Sequence, residues 1–219
     1  MVWIGSKKYS GEMLCPDRNL SWGSSPFRLL GINFDVDLNK ILDLNYKERH
    51  IHLKNLAIIW SKRNLIVIGK ISVVKTLMLP VLNYLFLTLP NPTSEIVGKI
   101  NEIFYNFIWN SPVHRIKKEV LYMDYMYGGL KMIDISNFII ALKCTWMKKV
   151  FNSECKWLNI LHSMLDKERL YNLGSNYTTK LLPCKTNNFW YDVFSAWQLF
   201  LEREGIKDWN YLLSTSMDE

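Results

Sequence analysis

Residues 94–109 read SEIVGKINEIFYNFIW, and this stretch decides the fold class. Ser94 and Glu95 form a typical helix start, because a serine side chain can accept a hydrogen bond from a first-turn amide and an acidic residue favours the positive end of the helix dipole. Large apolar residues then recur at a helical period, and these are Ile96, Ile100, Ile103, Phe104 and Phe107. The pattern predicts an amphipathic helix with one buried face, ending at Trp109 and Pro112.

Two further helical segments are predicted before this stretch. Asn45, with Glu48 three positions later, has the pattern of an N-terminal cap, and its helix is expected to end near Asn64. The apolar stripe of that helix is Leu53, Leu56, Ala57 and Trp60, and another face carries Lys47 and Lys54. The next segment begins near Gly69, and Pro80 within it requires a kink or break because proline lacks a backbone donor.

Helical patterns continue after the Gly-Gly pair at residues 128–129. Asp134 is expected to cap a helix in which Lys143, Lys148 and Lys149 lie away from the apolar stripe. That stripe is Ile135, Ile139, Leu142, Trp146 and Val150. Shorter patterns follow at Trp157 to Leu165 and in a final amphipathic helix, whose apolar side is Trp190, Val193, Phe194, Trp197 and Leu201.

Two β-like runs open the chain, at residues 1–5 and 27–34. Two strands alone are marginal in water, so they either pair with each other and lean on the helices or belong to a larger sheet. The sequence therefore predicts a mainly α fold with a small N-terminal β-hairpin.

Composition excludes several classes of protein. With 219 residues, 49% of them hydrophobic, the chain can bury one sizeable core or two small ones and is not disordered over most of its length. The four cysteines are far apart, no secretory signal pattern is present, and the four histidines do not fall at zinc-ligand spacing. The longest apolar stretch, Leu77 to Leu89, is broken by Pro80 and is shorter than the ~20 residues of a bilayer helix. We therefore expect a soluble protein without a membrane partner.

Positive charge is concentrated in the middle of the chain. Residues 44–151 carry fifteen Lys and Arg against six Asp and Glu. This excess of positive charge indicates either the ordinary solvated surface of a helical protein or a surface that binds a phosphate backbone. The candidate nucleic-acid contacts are Lys62, Arg63, Lys70, Lys75, Arg115, Lys117 and Lys118. Helix capping explains Lys62 and Arg63 equally well in isolation, and their proximity to Lys70 and Lys75 across a short turn makes phosphate contact an equal alternative.

Reactive constellations are missing from the sequence. It contains no Gly-rich phosphate loop, no His-Glu-x-x-His and no Gly-x-Ser-x-Gly motif. Asp35 and Asp37 are more typical of a solvated turn than of a metal pair, and the Trp and Tyr residues fall mainly in helical stripes, which favours core packing over base stacking. The sequence thus predicts a binding surface, with no catalytic residue and no metal site.

Several motifs occur in a fixed order along the chain. They are FRLLGI at 27–32, WSKRNL at 60–65, GKI at 69–71 with Lys75 and Leu79-Pro80, the aromatic stretch 104–109, and GGL at 128–130 followed by Asn137 and Trp146. Together they resemble the C-terminal half of the reverse transcriptases of LINE-type non-LTR retrotransposons. Trp3-Ile4-Gly5-Ser6 is similar to the end of the palm in that family. The resemblance covers residues 2 to 150.

The resemblance implies three regions and a role for each. Residues 1–43 would be a palm remnant with a primer-grip-like hairpin, 44–110 a thumb-like helical domain, and 111–219 a helical connector. The primer grip, which holds the 3′ end of the growing strand, would fall on Phe27, Leu30, Gly31 and Ile32. The thumb's contacts to the duplex backbone would fall on Lys62, Arg63, Lys70 and Lys75.

The chain departs from the family pattern at three positions in or beside these motifs. Leu29 stands where an aromatic residue is common, Ile66 where a threonine is common, and Lys70 where arginine is frequent. The last departure weakens phosphate recognition at Lys70, because lysine offers a point charge and not a bidentate fork.

The implied function is to bind the RNA and DNA of a template–primer duplex within an RNA-directed DNA polymerase, with the rest of the polymerase chain as a partner. The family's catalytic aspartates stand in an aromatic-Ala-Asp-Asp turn, a motif that this sequence lacks. Mg²⁺ is therefore implied for the complete family enzyme, and no cofactor is expected here. The resemblance also implies an intracellular ribonucleoprotein, nuclear or cytoplasmic. The alternatives are a domesticated RNA- or DNA-binding fragment, a helical module that docks onto protein through its apolar C-terminal helix, and an unfolded relic.

Overall fold

The computed structural model describes residues 26–35, 37–111, 116–152, 156–164 and 189–205. Within these residues the chain is mainly helical, and its β structure is an antiparallel hairpin near the N-terminus. The predicted fold class, mainly α with a small N-terminal β-hairpin, is confirmed. The β-like run at residues 1–5 lies outside the described part of the chain.

The elements follow one another closely along the chain. The strands are β1 (Phe27–Leu29) and β2 (Ile32–Phe34). The helices are α1 (Ile41–Ser61), α2 (Val67–Val73), α3 (Pro80–Thr88), α4 (Ser94–Trp109), α5 (Lys118–Tyr122), α6 (Ile135–Asn152), α7 (Lys156–Met164) and α8 (Phe189–Glu204). A π-helical turn (Val74–Met78) joins α2 to α3, and 3-10 turns stand at Leu38–Lys40 and Tyr125–Tyr127.

The hairpin turns at Leu30 and Gly31, which both have positive φ angles, 49° and 82°. A two-residue hairpin of this kind needs two left-handed residues, and leucine adopts that conformation only at an energetic cost. The Tyr84 hydroxyl of α3 donates a hydrogen bond to the Leu30 carbonyl oxygen at 2.9 Å and holds the turn in place. Behind the turn the rings of Phe27 and Phe34 stack with centroids 5.6 Å apart.

Asn45 fixes the hairpin to α1. Its side chain accepts a hydrogen bond from the Asn33 amide and donates one to the Asn33 carbonyl oxygen, and it also donates to the Ile41 carbonyl oxygen, each at 2.8 Å. The prediction of Asn45 as the N-terminal cap is therefore wrong. The helix begins one turn earlier, at Ile41, because the Asn45 side chain bonds to β2 and not to an amide of its own first turn.

The predicted break at Pro80 is confirmed. Ahead of the proline the helix widens, so that the Leu79 amide donates to the Val74 carbonyl oxygen at 2.8 Å, and the axes on the two sides differ by 46°. No single helix of the described residues is long and apolar enough to cross a membrane. The bent pair Val67–Met78 and Pro80–Thr88 reaches that length and hydropathy only when both parts are counted.

The main core is built around α4. The helix begins at Ser94 as predicted, although the capping hydroxyl belongs to Thr93, which accepts a hydrogen bond from the Ile96 amide at 3.4 Å. The predicted apolar face is confirmed, with Ile96 packed at its edge and the following residues buried: Ile100, Ile103, Phe104 and Phe107. These side chains belong to one cluster that extends from Ile32 in β2 to Ile139 in α6.

A second apolar cluster joins α6, α7 and α8. The Trp146 ring lies at its centre and meets the rings of Trp157, Phe189 and Trp190 edge to face, at centroid distances of 5.3 to 6.0 Å. The predicted cap of α6 is confirmed, since the Asp134 carboxylate accepts a hydrogen bond from the Ser136 amide at 2.9 Å. The α8 helix thus covers its apolar face against α6 and α7.

The predicted place of Lys143 away from the apolar stripe of α6 is wrong. Its side chain is fully buried, its ammonium donates to the Leu89 carbonyl oxygen beyond α3, and its Nζ lies 4.2 Å from the centroid of the Phe189 ring. The carboxylate of Asp192 in α8 lies close enough to interact with it and accepts a hydrogen bond from the Asn91 amide at 2.7 Å. Lys143 therefore connects the two apolar clusters.

Candidate nucleic-acid interface

A groove follows the line of contact between α1 and α4. Near the N-termini of the two helices it forms a cavity of about 470 Å³, lined by Asp43, Tyr46, Lys47, His50, Glu95, Ile96, Lys99 and Ile100. Further along it forms a second cavity of about 480 Å³, lined by Lys54, Ala57, Ile58, Ser61, Lys62, Ile103, Asn106 and Phe107. Because residue numbers rise together on both sides, the two helices are parallel and their C-termini lie at the same end. We call this surface the α1–α4 groove.

Lys62 and Arg63 lie at the C-terminal end of the α1–α4 groove. Both side chains are exposed, and Lys62 lines the second cavity opposite residues of α4. The Arg63 guanidinium lies 4.8 Å from the centroid of the Trp60 ring. Stacking on an aromatic face leaves the in-plane guanidinium donors available to an acceptor in solvent. The structure thus brings together two of the predicted contacts.

Lys47 and Lys54 carry the positive charge along the rest of the groove. They are two helical turns apart and exposed on the same face of α1. The sequence indicated this shared face, but it did not place either residue in the site. On the opposite wall Lys99 forms an ion pair with Glu95 at 2.6 Å, so it contributes less unpaired positive charge than the α1 lysines. The groove partners from α4 could not be found from sequence, because local patterns do not give the relative direction of two helices.

His50 lines the first cavity as a neutral group. Partial burial lowers its pKa, the nearby cations Lys54 and Lys99 lower it further, and Glu102 opposes them weakly. The imidazole is therefore mostly uncharged at neutral pH, when it can donate or accept a hydrogen bond but adds little positive charge.

The Lys70 side chain points into the protein. Its Nζ donates to the Asn110 Oδ1 at 2.7 Å and to the Ile108 carbonyl oxygen at 3.3 Å, and it lies 5.7 Å from the Phe107 ring centroid. A cation at this place satisfies the C-terminal carbonyl end of α4. Burial lowers the pKa of Lys70. Its ammonium is thus engaged by the end of α4 and lies beside Phe107, which lines the α1–α4 groove.

Lys75 lies in the π-helical turn, and its contact is with the segment before α6 and not with the α1–α4 groove. Its half-buried side chain donates from Nζ to the Lys131 carbonyl oxygen at 3.2 Å. The Lys131 ammonium in turn forms an ion pair with the Asp124 carboxylate at 2.9 Å. Lys75 therefore attaches the helix that carries it to the segment before α6.

Lys117 and Lys118 are exposed at the start of α5. The Lys118 ammonium lies 5.2 Å from the centroid of the Tyr105 ring, whose hydroxyl is hydrogen-bonded to that of Tyr122. Arg115, the third predicted contact in this segment, lies outside the described residues.

The primer-grip-like residues divide into a buried and an exposed set. Ile32 is buried in the main core and Phe27 is half-buried against Phe34, whereas Leu30 at the tip is 81% exposed. A side chain on Gly31 would meet the Tyr84 ring at 3.9 Å, and the positive φ of Gly31 disfavours any such side chain. The tip of the hairpin therefore presents apolar surface and no charge.

No protein-family model matches the chain. In the part of the chain that the structure describes, no three His, Cys, Asp or Glu side chains come together as a group able to hold a metal ion. The α1–α4 groove has partly apolar walls, formed in its second cavity by Ala57, Ile58, Ile103 and Phe107, and exposed lysines along α1. This positive charge suits a polyanion.

Proposed function

We propose that this chain is the duplex-holding part of a LINE-type non-LTR reverse transcriptase and that it binds the backbone of an RNA–DNA template–primer duplex in the α1–α4 groove. The proposal is supported by the ordered motifs between residues 27 and 146 and by one structural observation. The parallel packing of α1 and α4 aligns exposed Lys47, Lys54 and Lys62 along one groove, with Arg63 at its end.

The length of this row fits a nucleic-acid backbone. Lys47 and Lys62 are fifteen residues apart along α1 and its end, which corresponds to roughly 22 Å at 1.5 Å per residue. A strand of duplex presents one phosphate per ~3.4 Å of helix axis, so this distance spans roughly six phosphates. Such contacts would position the duplex without reading its sequence, as a polymerase that copies any template requires.

The other predicted residues take supporting roles in this proposal. Lys70 would hold the end of α4 in place beside the groove, and Lys75 would attach the segment that contains Lys131. The exposed hairpin tip at Leu30 would meet the primer strand, as in the family's primer grip. Nucleotidyl transfer would require carboxylates that the motif-bearing residues do not supply, so the chain alone is expected to give no primer extension.

A pair of charge-matched variants tests the proposal. Lys62→Gln/Arg63→Gln removes two charges at the groove, and Lys148→Gln/Lys156→Gln removes two exposed charges from α6 and α7. We expect the first variant to bind a fluorescent RNA–DNA hybrid more weakly and to reduce the slope of log affinity against log salt by about two, because each neutralised phosphate contributes about one unit. The second variant should keep the wild-type slope. Equal slopes in all three folded proteins would refute the proposed interface.

A protein-docking function is the second candidate, and one surface favours it. Ile51, Ile58 and Ile59 are large apolar side chains that are exposed on α1, more than an ordinary solvated helix presents. The apolar face of α8, by contrast, is covered by α6 and α7. Salt titration separates the two functions, because docking through isoleucine side chains does not weaken as salt rises, whereas phosphate binding does.

A further inference from the structure

The 3-10 turn Tyr125–Tyr127 is a well-defined projection between α5 and α6. The amides of Tyr127 and Gly129 both donate to the Asp124 carbonyl oxygen, and the Gly128 amide donates to that of Tyr125, all at 3.0 Å. At the base of the turn the Lys131 amide donates to the Met123 carbonyl oxygen at 2.9 Å. The backbone of the turn is thus hydrogen-bonded both at its tip and across its base.

Gly129 closes the turn against the chain before it. A β-carbon at this position would lie 2.0 Å from the Met123 carbonyl oxygen, a backbone atom that cannot move aside. The chain segments on the two sides of the turn therefore approach so closely at residue 129 that only glycine fits there. This close approach keeps the base of the turn narrow.

The tip of the turn consists of three large side chains in solvent. Tyr125 is 52% exposed, Met126 91% and Tyr127 76%. Most other aromatic side chains of the described residues are buried or half-buried, many of them in the two apolar clusters. Exposed apolar surface of this size on a hydrogen-bonded turn indicates a binding contact.

The segment around the turn carries a small excess of positive charge. Lys131 and Asp124 neutralise each other in their ion pair, and Lys75 adds an ammonium at the base of the turn. Lys117 and Lys118 precede the turn along the chain, and the carboxylates of Glu119 and Asp134 offset two of these charges. Lysine is depleted in the cores of protein interfaces, whereas lysine beside exposed aromatic rings is the composition of a surface for single-stranded nucleic acid. Charge complementarity thus favours a polyanion over a protein as the occupant.

A chain of contacts connects this turn to the α1–α4 groove. Phe107 lines the groove and lies beside the Lys70 ammonium, and Lys75 follows Lys70 by five residues, or about 7 Å along a helix axis. The Lys75 ammonium then reaches the Lys131 carbonyl oxygen at the base of the turn. These contacts join the turn to the C-terminal end of the groove through α2 and the π-helical turn.

We propose that Tyr125 and Tyr127 stack on unpaired nucleotides of a strand whose paired part lies in the α1–α4 groove. The inference rests on the proposed function and adds a ligand to it. Inside a duplex both faces of every base are covered, so the exposed tyrosine rings need unpaired bases on which to stack. Aromatic stacking tolerates any base, in keeping with a surface that follows a template of any sequence.

The experiment compares Tyr125→Ala/Tyr127→Ala with Tyr125→Phe/Tyr127→Phe. Binding is measured by fluorescence anisotropy to a blunt RNA–DNA hybrid, to the same hybrid with an unpaired template extension, and to the extension strand alone. We expect the alanine variant, which removes two stacking rings, to lose at least about thirtyfold in affinity for the extended hybrid and for the single strand, with unchanged affinity for the blunt hybrid. The phenylalanine variant should match the wild type, because it keeps the ring. A 2-aminopurine base in the extension should be quenched by the wild type and not by the alanine variant.

The outcomes separate this inference from the proposed function. Equal affinity of the wild-type and alanine proteins for the extended hybrid would overturn the stacking role and leave duplex binding intact. Tyrosine-dependent binding to the single strand without any binding to the blunt hybrid would support the stacking role and refute the proposed function. Unchanged nucleic-acid affinity together with a loss of self-association in light scattering would identify the turn as a protein contact and overturn the inference.

Discussion

The side chain of Asn45 forms hydrogen bonds with both backbone groups of Asn33, each at 2.8 Å. A primary amide has one acceptor and one donor group in the same spacing as a peptide unit, so Asn45 pairs with β2 as a further strand residue would. The hairpin that resembles a primer grip is therefore attached to the helix that lines the α1–α4 groove. Any strand end held at the hairpin and any backbone held in the groove would share one rigid support.

Asn45→Ala should detach this hairpin. The substitution leaves the half-buried amide and carbonyl of Asn33 without their protein partner, and we expect it to lower the free energy of unfolding by about 2 kcal/mol. Asn55→Ala on the same helix is the control, since Asn55 is exposed and alanine favours helix, and it should leave stability nearly unchanged or slightly raised. Urea denaturation measures both. A neutral Asn45→Ala would mean that the hairpin packs without this bridge.

Lys70→Met should affect folding more than binding. Loss of the ammonium leaves the Asn110 side chain and the end of α4 without their donor, and we expect a destabilisation of about 2 kcal/mol. Because the ammonium is engaged inside the protein, the salt slope for an RNA–DNA hybrid should stay at the wild-type value. Lys62→Met is the matched control with the reverse pattern, namely unchanged stability and a slope reduced by about one. A Lys70→Met protein with full stability and a reduced slope would make Lys70 a direct phosphate contact.

The buried Lys143 makes stability depend on pH in the alkaline range. Burial lowers the pKa of Lys143 to about 8 from its ordinary value of 10.5. Between these two pH values the unfolded chain binds a proton that the folded chain does not, so the free energy of unfolding should rise with pH, by up to ~1.4 kcal/mol per pH unit. Below about pH 8 both states are protonated and this contribution is constant.

Lys143→Met isolates that contribution. The difference in unfolding free energy between the wild type and Lys143→Met should increase from pH 8 to pH 10.5 and remain level from pH 6 to pH 8. Asp192 keeps its charge across the alkaline range, so it does not alter the sign, although burial raises its pKa. A difference that is flat across the whole alkaline range would show that the Lys143 ammonium is solvated in the folded protein.

Two glycine substitutions should have opposite effects. Gly129→Ala forces a β-carbon against the Met123 carbonyl oxygen, and we expect a loss of about 3 kcal/mol together with faster chymotrypsin cleavage after Tyr125 and Tyr127. Gly98→Ala, in the exposed middle of α4, meets no atom within 4 Å and should stabilise the protein by about 0.5 to 1 kcal/mol. Equal melting temperatures for the two variants would contradict the close approach at Gly129.

Local patterns predicted the elements that depend on local physics. The apolar face of α4, the bend at Pro80 and the cap at Asp134 all follow from periodicity or from backbone chemistry within a few residues. The errors concern polar residues whose partners are distant in the chain. Asn45 bonds to a strand twelve residues away, although the local pattern makes it a helix cap. Lys143 bonds to a carbonyl oxygen fifty-four residues away, although the local pattern leaves it outside the apolar stripe.

The candidate site was predictable only in part for the same reason. Lys62 and Arg63 were found because they are clustered along the chain, and the structure leaves them exposed. Lys54 was missed as a site residue because its groove partners come from α4, and the direction of that helix relative to α1 depends on the bent pair between them. In the sequence Lys70 looks the same as Lys62, because both are lysines of one basic cluster. Only the contact of Lys70 with the end of α4 distinguishes the two.

The π-helical turn Val74–Met78 holds one residue more than an α-helical turn would, and what precedes and follows it both have fixed attachments. Lys70 on α2 bonds to Asn110, while Tyr84 on α3 bonds to Leu30. Deleting a single residue from the turn would rotate α3 by about 100° relative to α2, so only one of the two attachments could survive. This segment should therefore tolerate a change of side chain far better than a change of length.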